Sequence, residues 1–86
     1  MPSPACPLHS SNPGDLSKRG WELASAGDAA AGLACHVMAT KLPDAGGLNW
    51  FHRARTEQEI PGRDSEALAS YQQAVGSVQM LSLIHI

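Results

Sequence analysis

The chain has 86 residues, 43% of them hydrophobic but only 5% aromatic, and a formal net charge of −2. That length holds one small domain with a light core, and such domains are marginal without staples or partners. The negative balance argues against nucleic acid or an acidic membrane surface as the main partner, and no apolar run approaches the roughly 20 residues that span a bilayer.

Residues 1–14 contain Pro2, Pro4, Pro7 and Pro13 with three serines and one glycine. Proline fixes φ and removes donors, so a disordered or extended tail is predicted here. It also lacks the basic and apolar regions of a secretory signal. Two cysteines, Cys6 in this tail and Cys35 in an apolar stretch, make no disulfide framework, and the expected compartment is the reducing cytoplasm.

A first helix is predicted from about Asp15 to Gly27, with Leu16, Gly20, Leu23 and Ala24 on one face. Gly27 suits a C-cap. Asp28 then caps an alanine-rich second helix over 29–42, whose Lys41 suits the negative end of the dipole. Residues 43–47 (PDAGG) break the pattern. A third helix follows over 48–60, with Leu48, Phe51, Ala54 and Arg55 on one side, and Pro61-Gly62 ends it.

The strongest pattern lies in GRDSEALASYQQAVGSV, residues 62–78. Ala67, Leu68, Tyr71, Ala74, Val75 and Val78 form one helical stripe, while Glu66, Ser70, Gln72, Gln73 and Ser77 are directed to water. Asp64 or Ser65 is the expected cap, and Gly76 is where the helix is expected to fray. A single amphipathic helix is marginal alone, so this one needs a partner within the chain. Residues 81–86 (LSLIHI) match the translation of a transposase adapter used in sequencing libraries. They are expected to be an artefact, with the chain an N-terminal fragment.

The two halves align at an offset of thirty-five residues, pairing Gly27 with Gly62, Gly32 with Ala67, Leu33 with Leu68, His36 with Tyr71 and Ala39 with Ala74. Each half is a helix, a glycine turn and a second helix with small residues seven apart. This resembles the tetratricopeptide repeat, a helix-turn-helix unit of about 34 residues. Phe51 falls at the family's first aromatic position, and Gly62, Ala67, Tyr71 and Ala74 at its turn glycine, small, aromatic and small positions. The departures are Arg55 at a small-residue position that holds Gly20 in the first unit, Leu23 and Gln58 at a later aromatic position, Gly32 in place of alanine, and an early Pro43. The resemblance implies an all-α fold of two antiparallel helix-turn-helix units, about 15–44 and 48–78 within a repeat region 15–80, forming the start of a right-handed α-solenoid. Packing would rest on Gly27, Leu33, Ala39, Phe51, Gly62, Ala67, Leu68, Tyr71 and Ala74.

Chemistry-bearing clusters are weak. Cys35 and His36 are adjacent on a helix and diverge by about 100°, and no ligand pair of metal-site spacing exists, so no metal or cofactor is expected. Cys35 is expected to be buried and His36 partly exposed. The run Trp50-Phe51-His52-Arg53-Ala54-Arg55 mixes aromatic and basic groups, as single-strand binders do. It reads better as a core Phe51 beside a solvated or partner-facing basic edge. Glu57, Glu59, Asp64 and Glu66 read as exposed helix-end charges. The resemblance implies a protein-interaction scaffold without chemistry of its own, gripping a peptide or protein on the surface lined by the first helix of each pair. Candidate contacts are Lys18, Arg19, Glu22, His52, Arg53 and Arg55. Self-association through the last unit's exposed outer face is a further expectation, and the alternative is an accessory repeat region of a larger enzyme.

Overall fold

In the computed structural model the backbone is described for residues 5–85 and the side chains for residues 5–76. The expectations for residues 1–4, for the side chains of Ser77 and Val78 and for Ile86 fall outside these. Four helices follow in order: α1 (Pro13–Ser25), α2 (Ala29–Lys41), α3 (Gly47–Gln58) and α4 (Asp64–His85), with no strand among the described residues. Helix α1 packs on α2 and α3 on α4, so the fold is all-α and built from two antiparallel helix-turn-helix units. Helix α3 also packs against both α1 and α2, which joins the units.

The local chemistry explains the boundaries. Asn12, outside the expected start, caps α1 by accepting from the N–H groups of Gly14 and Asp15, and Pro13 occupies the first turn where no N–H is needed. At the other end Gly27 takes φ +98°, and the N–H groups of Asp28 and Gly27 donate back to Leu23 and Ala24. That is the paired closure a glycine past the last turn permits. Asp28 accepts from the Ala31 N–H and so starts α2 as expected. Gly62 makes the matching turn at φ +86°. Asp64 is the first residue of α4 rather than its cap, and α4 runs through Gly76 without ending there.

Helices α1 and α2 touch at their backbones. A Cβ on Gly32 would stand 2.5 Å from the Gly20 carbonyl oxygen and 3.1 Å from the Ala24 nitrogen. A Cβ on Gly20 would stand 2.8 Å from the Gly32 oxygen and 2.7 Å from the His36 ring. The glycine at position 32, where alanine was the usual residue, is therefore required by this crossing.

The core is small: Leu16, Leu33, Cys35 and Ala39 in the first unit, Ala54, Ala67 and Ala74 in the second. Three expectations are corrected here. Residues 5–12 carry no helix or strand, as an extended tail would, but they form a strap tied to the first helix pair. Cys6 is buried and disulfide-bonded to Cys35, with Leu8 packed beside it, which overturns the reading of the two cysteines as unpaired. The cysteine argument for a reducing cytoplasm goes with that bond. Leu68 and Val75 are exposed while Ser70 is buried, because the inner face of α4 is centred on Ala67, Ser70 and Ala74 rather than on the whole apolar stripe. Phe51 is 41% exposed and Leu48 68%; of that side of α3, Ala54 is the fully buried residue.

Gly32→Ala is expected to cost about 2 kcal/mol, since overpacking against backbone outweighs the gain in helix propensity. Gly76→Ala meets nothing within 4 Å and is expected to stabilise by about 0.5–1 kcal/mol. Urea unfolding of the two variants beside wild type checks both signs.

Candidate functional site

An open groove runs between α1 and α3, the first helices of the two units. Asn49 fixes its upper end. Its side-chain oxygen accepts from the Gly46 N–H at 2.9 Å, closing the first turn of α3. Its amide donates to the Pro13 carbonyl at 3.1 Å and to Ser17 Oγ at 2.7 Å, pinning that turn to α1. Asn49 and Ser17 escaped the sequence reading; the only local signal was an asparagine three residues after a helix-starting glycine.

Below this tie the groove holds two adjoining cavities. One, of about 290 Å³, is lined by Ser17, Lys18, Trp21, Leu48, Asn49 and His52. The other, of about 130 Å³, is lined by Trp21, Phe51, His52, Arg55, Thr56 and Glu59. Trp21 and His52 belong to both. Trp21 is 60% exposed, and with Leu48 and Phe51 it gives the groove a large apolar surface facing solvent. Phe51 is fixed edge-on by Tyr71 of α4, ring centres 5.8 Å apart, so it stands on the second unit's framework rather than free on its stem.

The six expected contacts separate spatially. Lys18, His52 and Arg55 line the groove. Arg19 and Glu22 face each other at 3.8 Å on the other side of α1, beside the strap. Arg53 points between the units, where Nη1 donates to Thr40 Oγ1 at 2.9 Å and Nε reaches Glu57 at 3.4 Å, with the guanidinium 5.1 Å from the Trp50 ring centre.

Arg53 belongs to a polar chain that crosses three helices. Thr40 of α2 donates to the Val37 carbonyl, Arg53 and Glu57 of α3 pair, and Ser70 of α4 donates to Glu57. Glu57 is almost completely buried, which corrects its reading as an exposed helix-end charge. Burial of a carboxylate is tolerated because both of its oxygens have partners. Glu59 and Glu66 are exposed, as expected, with Glu66 paired to Arg63.

Behind His52, which lines the groove, lies His36. It is fully buried, contrary to the partial exposure expected from sequence, because the Gly20 backbone lets the ring lie against α1. Its ring stacks on His52 with centres 6.2 Å apart, and neither of its nitrogens has a hydrogen-bond partner among the described residues. Desolvation by burial, then the neighbouring His52 and Arg53 charges, lower its pKa from 6.5 to about 4. The imidazole is thus neutral at pH 7 and supports the groove by packing. Comparison of the chain with protein-family models, with curated proteins and with solved structures returns no match.

The unfolded chain takes up a proton on His36 near pH 6.5 and the folded one only near pH 4, so stability falls as pH drops through that window. The expected loss is on the order of 3 kcal/mol across it. His36→Phe is expected to remove that part of the slope, read from urea midpoints of both proteins at pH 4.5 and 7.

Proposed function

We propose that this chain is a protein-interaction module of tetratricopeptide-like helical units that binds an extended peptide segment between α1 and α3, without chemistry of its own. One observation carries the reading: Trp21, Leu48 and Phe51 stay exposed along a groove whose upper end is rigidly tied. Exposed large apolar side chains cost solvation free energy, and concentrated on one concave face they mark a binding surface. Lys18 and Arg55 flank them and favour a segment carrying carboxylates, while Glu59 at the lower end sets a limit on acidity there.

The alignment of small residues supports the repeat reading. Gly32 and Ala67 are both buried, as are Ala39 and Ala74, so each second helix presents small residues two turns apart to its partner. No helix among the described residues is long and apolar enough to cross a membrane.

Selection from a random displayed peptide library is the direct test. Peptides combining an aliphatic or aromatic anchor with carboxylates are expected, and Trp21→Ala is expected to weaken them about tenfold or more, the usual effect of truncating a central aromatic contact. Lys18→Ala should weaken binding less and reduce its salt dependence. Peptides that bind Trp21→Ala as well as wild type would overturn the assignment of this groove.

A further inference from the structure

We propose that residues 5–12 form a thiol-releasable strap, which covers the apolar end of the first helix pair when Cys6 and Cys35 are bonded and uncovers it when they are reduced. The inference uses none of the groove's apolar residues, although Lys18 of α1 lines both the groove and the cleft beside the strap.

The strap has few attachments besides the disulfide. Cys6 and Cys35, 29 residues apart, sit at the centre of the main buried cluster with Leu16 and Ala39. Leu8 packs on that cluster and Asn12 caps α1. Between them, Ser10 bonds only the nearby Asn12 N–H, and no hydrogen bond among the described residues joins residues 5–11 to α2. An open cleft lined by Leu8, His9, Ser10, Asp15, Lys18 and Arg19 separates the strap from the outer side of α1. Ordering such a segment costs conformational entropy at every residue, and one half-buried leucine with one cysteine recovers little of it. The covalent bond is what holds the strap down.

The helices beneath are held by other means. The Gly20–Gly32 crossing, the packing of α3 on both helices and the Thr40–Arg53–Glu57–Ser70 chain do not involve the strap. Breaking the disulfide therefore frees the strap before it unfolds the helix pairs. The step is thiol–disulfide exchange with a cellular dithiol. One thiolate of the dithiol attacks Cys6 Sγ, the less buried of the pair, releasing the Cys35 thiolate; a mixed disulfide forms on Cys6, and the dithiol's second thiolate displaces it. The dithiol leaves oxidised, and Cys6 and Cys35 leave as two thiols carrying its two electrons and two protons. Cys35, Leu16 and Ala39 are then exposed on one face, beside Leu23, Met38 and Leu42. The strap is closed in an oxidising compartment and open in a reducing one.

The test uses the full chain, oxidised or treated with dithiothreitol, and reads three quantities. Without reductant, iodoacetamide should label neither cysteine under native conditions. After reduction, Cys35 labelling and chymotryptic cleavage at Leu8 should each become roughly tenfold faster or more, as expected for local release rather than global opening, while helical circular dichroism persists. Cys6→Ala without reductant should reproduce the fast cleavage at Leu8. Two labelled cysteines in the untreated protein would overturn the proposal. So would a strap that stays shielded after reduction, or loss of helicity on reduction, which would make the bond a staple and not a switch.

Discussion

Two glycines on facing helices set the geometry from which the other features follow. Gly20 and Gly32 let the backbones of α1 and α2 meet directly, closer than any pair of side-chain-bearing residues could approach. That contact leaves room for the His36 ring against α1 and puts it in reach of His52 on α3. The third helix is thereby seated on both members of the first pair. A core with few large side chains gains little from hydrophobic area alone, so close backbone approach and its dispersion contacts count for more here than in a leucine-rich bundle.

The second unit solves the same problem differently. It has Ala54, Ala67 and Ala74 at its centre and a buried polar chain where the first unit has apolar contacts. Glu57 is stabilised by Arg53 on one oxygen and Ser70 on the other, and Arg53 reaches across to Thr40. Such a chain adds little net stability compared with well-packed apolar residues, but it is intolerant of misalignment. It therefore fixes the register of α2, α3 and α4 relative to one another. The groove inherits that fixed geometry, since His52, Phe51 and Arg55 belong to the same helix as Arg53 and Glu57.

The apolar side chains have been divided between two tasks. Leu16, Leu33 and the cysteines are committed to the interior, whereas Trp21 and Phe51, two of the chain's four large aromatic residues, are held with Leu48 at the surface of the groove. A small domain with two tryptophans and one phenylalanine ordinarily buries them first, because each removes a large apolar area from water. Leaving them out costs stability, and the proposed peptide-binding role accounts for that cost. The strap adds a covalent contribution at the opposite side, where Cys6 and Cys35 supply core volume that no aromatic residue provides.

The sequence by itself determined the four helices and the turns between them, though not the Asn12 start of α1 or the far end of α4. Asp28, Gly27, Gly62 and the 43–47 break act through local hydrogen bonds and backbone conformation, which depend on neighbours in the chain. That Ala39, Ala67 and Ala74 lie on the covered faces of their helices was legible too, because helical periodicity is a local property. What lay beyond reach was which part of each face would be covered. Leu68 and Val75 belong to the same stripe as Ala67 and Ala74, yet the close approach of α3 to α4 buries only the small residues and Ser70. His36, Glu57 and Asn49 looked ordinary in sequence, and their roles come from partners 13 to 36 residues away or on another helix. The Cys6–Cys35 bond was hidden for the same reason. Two cysteines 29 residues apart, one in a proline-rich stretch, carry no signal until α1 and α2 have folded and brought the strap back across them. Local chemistry sets the helices; long-range geometry decides which side chains are buried, paired or left free to bind.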